Sequence, residues 1–186
     1  MTRLFQSAMS IQSFLQKQNW SFCFIGGIAL QRWGEPRLTI DIDISLFTDF
    51  DDANYIHEIL QHFESRISDP KAFAHENRIL LIMNEGIGVD IVLSGIPFER
   101  EMIERSSLFQ FTEAITLITC SAEDLIVMKA FADRDKDWGD VSGIIMRQAG
   151  CLDWAYILEE LKPLADVKEN PDILDHLENL KNKYEM

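Results

Sequence analysis

The ten residues from Leu38 to Phe47 constrain this chain more than any other segment. Leu38, Ile40, Ile42, Ile44 and Leu46 alternate with Thr39, Asp41, Asp43 and Ser45. Successive side chains of a strand point to opposite faces, so this period of two predicts a strand with one apolar and one polar face. A helix would scatter the same residues around its circumference. Both aspartates fall on the polar face. Aspartate is disfavoured in strands, so two of them in mid-strand need a reason.

The neighbouring segments supply the rest of an α/β pattern. Leu4, Phe5, Ala8, Ile11 and Leu15 recur at helical spacing and predict an amphipathic helix over 4–19. Phe22 to Ile25 reads as a short apolar strand that stops at Gly26-Gly27, and Ile28 to Trp33 as a short helix ended by Gly34 and Pro36. A helix is expected over 51–66, with Ala53, Ile56, Leu60 and Phe63 on one face. Strands 78–83 and 88–94 flank the turn Asn84-Glu85-Gly86 and predict a hairpin. Pro97 suits the first turn of a helix reaching Arg105, and 114–119 is strand-like. Ser121 to Asp124 resembles a capping box that opens a helix to Ala132. Further helices are expected over 138–148, 153–162 and 172–184, punctuated by Gly150, Pro163 and Pro171. The fold class expected is α+β. A small mixed sheet with packed helices occupies 1–120, and a C-terminal helical part occupies 121–186.

Composition bounds what this fold can do. The 186 residues are 47% hydrophobic, with 12 Phe, 4 Trp and 3 Tyr, which is ample for a packed core and excludes a disordered chain. The net charge is −14, and it is uneven. Residues 1–40 carry Arg3, Lys17, Arg32 and Arg37 against Glu35, whereas 41–186 carry 13 bases against 30 acids. A body this acidic argues against broad, salt-driven nucleic-acid binding, which needs a basic face. It leaves room for a local basic cleft near Arg32, Arg37 and Lys129. Cys23, Cys120 and Cys151 are scattered and form no Cys-x-x-Cys pair, so neither a disulfide framework nor a zinc ribbon is expected. There is no signal-peptide pattern, and the longest apolar run, Phe22 to Leu30, falls far short of the roughly 18 residues of a membrane span. A reduced, cytoplasmic protein without a membrane partner is expected.

The chemistry concentrates in three places. Gly26-Gly27 ends a strand, where glycine lets backbone approach a ligand and free N–H groups at a helix start can hold phosphate. Asp41 and Asp43, two apart on a strand, have Cα atoms ~7 Å apart on one face and can converge on a hard cation such as Mg²⁺. The plainer alternative is that both merely decorate a solvated face. Asp90 lies in Gly88-Val89-Asp90-Ile91-Val92-Leu93, where it faces away from the apolar set. As a third carboxylate on a neighbouring strand it suits a site for phosphoryl or nucleotidyl transfer. Lys129 is spaced i,i+4 from Asp133, and Asp133 from Asp137. On that segment alone an ion-paired helix face is the favoured reading, with a phosphate ligand as the functional alternative.

Together these pieces resemble a known family. Phe24-Ile25-Gly26-Gly27-Ile28-Ala29-Leu30, followed by Gly34, Arg37, Thr39, Asp41 and Asp43, is similar to the opening motif of polymerase-β-type nucleotidyltransferases. The closest branch is the AbiEii-like one, associated with bacterial toxin–antitoxin and phage-defence systems. Asp90 in Val89-Asp90-Ile91-Val92 matches its third carboxylate strand. The stretch from Ser121 through Lys129 to Asp133, Asp137 and Asp140 resembles its downstream lysine and aspartate motifs. The resemblance covers residues 22–146. It implies Mg²⁺ held by Asp41 and Asp43, with Asp90 as the third carboxylate assisting deprotonation of the attacking hydroxyl. It further implies that Gly26 and Gly27 cradle the triphosphate, with Arg37 and Lys129 as nucleotide-binding residues. The reaction would move a nucleoside monophosphate from an NTP to an acceptor, which could be a tRNA end, a protein hydroxyl or a small molecule. An antitoxin or other regulator would be the protein partner. One departure is Ile28, since many members place Ser or Thr there. It motivates a second reading, a degenerate nucleotidyltransferase fold that acts through a partner.

Other readings fit less well. In haloacid-dehalogenase-type phosphatases the Asp-x-Asp ends a strand, but here the alternation runs on to Leu46. Asp133 to Asp137 has the acidic alternation of an EF-hand, yet Trp138 stands where the loop needs glycine and Ile144 where it needs glutamate. The chain is short for a glycosyltransferase with an Asp-x-Asp site. His57, His62, His75 and His176 lack zinc-ligand spacing, and Trp33, Trp138 and Trp154 are read as packing residues.

Overall fold

The structure, a computed structural model, describes residues 2–184. Met1, Glu185 and Met186, the ends of the two expected spans, lie outside the described residues. In chain order the elements are α1 (Thr2–Lys17), β1 (Phe22–Phe24), α2 (Gly26–Trp33), β2 (Asp41–Phe47), α3 (Ala53–His62), β3 (Glu64–Ser65), α4 (Pro70–Asn77) and β4 (Ile79–Asn84). There follow β5 (Ile87–Ser94), α5 (Pro97–Glu104), β6 (Ser107–Thr112), β7 (Ile115–Thr119), α6 (Ala122–Ala132), α7 (Asp135–Arg147), α8 (Trp154–Val167) and α9 (Asp172–Tyr184). This is the α+β class that the alternation of strand and helix patterns implies.

The chain divides into two compact units, one of Met1–Ile28 with Leu38–Cys120 and one of Ala29–Arg37 with Ser121–Met186. In the first, the strands form one mixed sheet in the order β3-β4-β5-β2-β1-β7-β6. The Leu38–Phe47 segment therefore supplies the central strand. β2 runs antiparallel to β1, with Phe24 opposite Ile44, and parallel to β5, with Asp43 opposite Asp90. β4 and β5 form the expected hairpin, turning at Glu85 and Gly86, both in the left-handed region (φ 51° and 75°). Two positive φ values in a two-residue turn match the right-handed twist of the strands it joins.

One face of this sheet is the core. Ile42, Ile44 and Leu46 are fully buried, beside Leu80, Ile82, Val89, Ile91 and Leu93 of the flanking hairpin. α1 covers them with Leu4, Phe5, Ala8, Ile11 and Leu15, the residues picked out by helical spacing. Burying apolar side chains against a flat apolar strand face drives this packing at about 25 cal/mol per Å². A buried polar tie fixes α1 in place, because the Asn84 amide donates to Ser7 O (3.1 Å) while Ser7 Oγ lies 2.9 Å from Asn84 Nδ2.

The second unit is helical. α6 buries Leu125, Ile126, Val127 and Ala130, α7 buries Val141, Ile144 and Ile145, and α8 and α9 add Ile157, Leu161, Ile173 and Leu177. Ser121 caps α6 by accepting from Asp124 N (3.1 Å). Asp153 caps α8 in the same way through Tyr156 N (3.1 Å).

Several expectations need correction. β2 begins at Asp41, not Leu38, and Leu38 and Ile40 are 81% and 75% exposed. The parallel ladder with β5 starts at Asp41 opposite Gly88, and β1 reaches only Ile44, so nothing pairs the earlier residues. The helix after the glycine pair starts at Gly26 itself. Pro163 lies inside α8, which forgoes one backbone hydrogen bond there and continues to Val167. β3, α4 and β6 escaped the sequence reading. β6, Ser107–Thr112, is an edge strand whose side chains are exposed or half-buried on both faces, so no buried stripe marks it.

Ile44→Ala should lower the unfolding free energy by about 2–5 kcal/mol, as for other cavity-forming core truncations. Leu38→Ala, at an exposed position, should change it by less than about 0.5 kcal/mol. Urea denaturation followed by circular dichroism separates the two, and equal effects would refute this placement of the strand.

Candidate active site

Strand geometry builds the site on the face of β2 opposite the core. Asp41 and Asp43 alternate with buried Ile42 and Ile44, so the apolar residues anchor the strand and turn both carboxylates the other way. The parallel register with β5 sets Asp43 opposite Asp90 and Asp41 opposite Gly88. Three sequence-predicted carboxylates thus share one face on two neighbouring strands. Asp41 lies near enough for its charge to act on Asp90. Burial chiefly, and that charge in addition, raise the Asp90 carboxyl above its ordinary value, against the opposing pull of Arg66.

The glycine pair meets the same carboxylates. Ile25 N donates to Asp43 O (3.0 Å), and the chain then turns into α2 through Gly26 in the left-handed region (φ +53°). A Cβ on Gly26 would collide with the Asp43 carboxylate, and one on Gly27 with the Thr39 side chain, each well under 3.0 Å. Glycine is required at both positions because side chains of the β2 segment press against this backbone. Gly27 N–H points at Asp43 Oδ2 (3.4 Å), so part of the donor capacity at the start of α2 is engaged by a carboxylate. Thr39 Oγ1 lies 3.2 Å from Asp41 Oδ1 and 3.3 Å from Asp41 O, which restrains that carboxylate. Ile28, the departure from the family motif, is fully buried in the core of the first unit.

Asp90 pairs with Arg66, which follows the edge strand β3. Arg66 N donates to Leu81 O (3.1 Å) on β4, and its side chain crosses toward β5. There it passes over Gly88, where a Cβ would lie 2.8 Å from Arg66 Nη1. Sequence reasoning missed Arg66, Gly88 and the role of Thr39. Arg66 sits in an irregular stretch with no period to place it, and only the absence of a side chain at Gly88 hinted at a close neighbour.

The donor set can be judged against the metal that the resemblance implies. Three carboxylates offer only hard oxygen ligands, which suits Mg²⁺ and not a soft metal. Among the described residues no three His, Cys, Asp or Glu side chains already converge into a metal-holding cluster. Asp43 accepts from Gly27 N–H, and Asp90 is paired with Arg66. The set fits in kind, with its oxygens engaged by internal partners.

Arg37 and Lys129 belong to the second unit and are joined there through Asp140. Lys129 is 6% exposed and donates to Asp140 Oδ2 (2.6 Å) and Asp137 Oδ1 (3.2 Å). The Arg37 guanidinium grips Asp140 by both oxygens (3.0 Å from Nε to Oδ1 and 3.0 Å from Nη2 to Oδ2). Arg134 pairs with Asp137. The expected Lys129–Asp133 pair does not form, because α6 ends at Ala132 and Asp133 turns left-handed (φ 58°) as its C-cap. Asp133 instead accepts from Trp138 Nε1 (2.8 Å). Burial pushes the Asp137 and Asp140 carboxyls up, but their cationic partners outweigh it and hold both below the ordinary value. For Asp137 the leading partner is Arg134, with Lys129 next, and for Asp140 it is Arg37, with Lys129 next.

Sequence comparison decides the family. Residues 14–147 match the family described as nucleotidyl transferase AbiEii toxin, type IV toxin–antitoxin system. This chain belongs to the AbiEii nucleotidyltransferase family. The match spans the carboxylate strands, the glycine pair and the Lys129 network together, so this AbiEii protein is a nucleotidyltransferase by descent as well as by fold. An antigenic nucleotidyltransferase-like protein from Paracoccidioides brasiliensis has a similar crystal structure, with a TM-score of 0.57 at 16% identity, covering 95% of this chain and 93% of that one. The solution structure of the antibiotic-resistance factor ANT(2'')-Ia gives a TM-score of 0.49 at 12% identity, with 98% and 91% covered. No curated protein matches the AbiEii chain. No helix among the described residues is long and apolar enough to cross a membrane.

Two outcomes follow from this geometry. Gly26→Ala should cost about 1–3 kcal/mol through the left-handed backbone and the collision with Asp43. Gly139→Ala, where a Cβ meets open space inside α7, should be neutral or stabilising by about 0.5–1 kcal/mol. Thermal unfolding of the two variants reads the contrast.

The second outcome concerns pH. Because Asp137 and Asp140 titrate lower when folded, their contribution is complete above the unfolded value near 4 and is lost as pH falls through the lower folded values. Lys129→Met should cost about 3 kcal/mol at neutral pH. It should also make stability fall less steeply below about pH 4, read from urea midpoints by tryptophan fluorescence. An unchanged acid slope would refute the network.

Proposed function

We propose that this AbiEii protein transfers a nucleoside monophosphate from an NTP to a hydroxyl-bearing acceptor, releasing pyrophosphate, as the toxin of a toxin–antitoxin pair in the cytoplasm. The single observation that carries this reading is the register of Asp43 against Asp90, with Asp41 beside them and the Gly26-Gly27 turn pressed on Asp43. Three carboxylates held together on a sheet face are costly unless they handle cationic or protonic chemistry.

Asp41 and Asp43 would hold Mg²⁺, with Asp90 completing the set. Bound there, the ion would neutralise charge on the transferring phosphoryl group and help align the attacking and leaving oxygens. Asp90 has the character of a general base. It is a carboxylate raised above its ordinary value, and it would take the proton from the acceptor hydroxyl as that oxygen attacks the α-phosphorus. The backbone N–H groups that open α2 would orient phosphate oxygens, with Gly26 and Gly27 keeping that backbone bare of side chains. Thr39 holds Asp41 in orientation. Ile28 is a core residue here, so the hydroxyl lost relative to many relatives leaves the backbone donors in place. Within the second unit, Arg37 and Lys129 are the proposed nucleotide-binding residues. Asp140, which binds both, would fix their spacing.

The acceptor could be a tRNA end, a protein hydroxyl or a small molecule, and the antitoxin would be a separate regulator. The acidic body, −14 overall, favours an acceptor that is not drawn in by long-range attraction to phosphate. The test is incubation of the full chain with Mg²⁺ and each α-labelled NTP, in the presence of separated RNA, protein and small-molecule fractions of a cell extract. Label should enter one fraction. Asp43→Asn should abolish the transfer, and Asp90→Asn should slow it by about 10²–10⁴-fold, the range of a lost general base. Transfer that persists unchanged in both variants would overturn the assignment.

A further inference from the structure

Arg66 lies outside every motif that identified the family, yet it makes the most direct contact with the third carboxylate. Three observations converge on it. First, its backbone is pinned to the sheet, with Arg66 N donating to Leu81 O (3.1 Å) at the strand position whose β5 partner is Asp90. Its backbone therefore lies two strands from β5, about 10 Å at the usual strand spacing, and its side chain reaches over β4 to meet Asp90. Second, Gly88 leaves room for the guanidinium, since a Cβ there would stand 2.8 Å from Nη1. Gly88 is two residues before Asp90 and directly opposite Asp41, so the guanidinium fills the vacant side-chain position on the carboxylate face. Third, Arg66 and Asp90 form an ion pair in which both side chains are about one-quarter exposed, 27% and 26%, so it is open to exchange with solvent ions.

Charge balance gives this contact its meaning. Asp41, Asp43 and Asp90 with Arg66 leave a formal −2 on the face. The guanidinium competes for the same Asp90 oxygens that a divalent cation would take. An arginine cannot be deprotonated to release them, so a cation must displace it physically. We propose that Arg66 is a positioning residue that holds Asp90 while the face carries no divalent cation and yields it on cation binding, thereby setting the cation affinity of the site. This inference rests on the reading of Asp41, Asp43 and Asp90 as cation ligands, and its test separates the two.

The experiment measures Mn²⁺ binding to the full chain without nucleotide, by titration calorimetry and by electron paramagnetic resonance of the free ion. The proteins are the wild type, Arg66→Met, Arg66→Lys, Asp43→Asn and Asp43→Asn/Arg66→Met. Arg66→Met should bind Mn²⁺ roughly tenfold tighter than wild type, the size of one charged hydrogen bond that the ion need no longer displace. Arg66→Lys should fall between, because a lone ammonium cannot grip the carboxylate with a planar fork. Asp43→Asn should lose binding in either background. A loss of mere structural support would weaken binding or leave it alone, so equal or weaker affinity in Arg66→Met overturns the proposal. If Arg66→Met fails to fold, Arg66→Lys decides by the same criterion. Loss of binding in Asp43→Asn with no gain in Arg66→Met defeats the Arg66 proposal alone. Binding that is absent in every protein, or untouched by Asp43→Asn, defeats both that proposal and the cation reading beneath it.

Discussion

One polar sheet face that carries three carboxylates is the constraint around which the first unit is arranged. Parallel pairing of β2 with β5 sets Asp43 beside Asp90 in register, with Asp41 close by. Burial chiefly, and the Asp41 charge in addition, raise the Asp90 carboxyl above its ordinary value. The surrounding chain answers each carboxylate. Gly27 N–H approaches Asp43, Thr39 Oγ1 approaches Asp41, and Arg66 crosses β4 to Asp90. These partners come from three separate stretches of chain, which shows how much of the unit is organised around that face.

The face stays in place because its reverse side is core. Every second residue of β2 from Ile42 to Leu46 is fully buried under α1, so a slip of one residue would exchange isoleucines for aspartates in the interior. That penalty locks the register that sets Asp43 opposite Asp90. The glycine pair is bound into the same logic. Gly26 and Gly27 are required because Asp43 and Thr39 already occupy the space a side chain would use. Ile28, one residue on, turns into the core.

The second unit shows the same economy with the signs reversed. Lys129 is buried, and burying an ammonium is costly unless it is paired. Asp137 and Asp140 pair it, and Arg37 and Arg134 in turn satisfy those carboxylates. The spacing from Lys129 to Asp140 in the sequence looks like a solvated helix face. The break at Asp133 instead folds α7 back, so residues eight and eleven positions on, rather than four, reach the lysine.

The sequence by itself determined the central strand, the glycine turn, the carboxylate pair, the β4–β5 hairpin and most helices. Period-two and helical spacing are local properties, and burial enforces them position by position. It also determined the family, because the motif residues occur in the right order along the chain. It overran β2 at Leu38 and Ile40, since alternation cannot reveal where a pairing partner ends. It missed β6, because an edge strand with one exposed face and only half-buried Phe109 and Phe111 on the other carries no buried stripe. Only tertiary structure decided that Asp43 stands against Asp90, that Arg66 reaches Asp90 across an intervening strand, and that Lys129 answers to Asp137 and Asp140. Those choices depend on which strands pair, in which register, and where a helix breaks. Such long-range selections are settled by packing and charge between residues far apart in the chain, which no local pattern encodes.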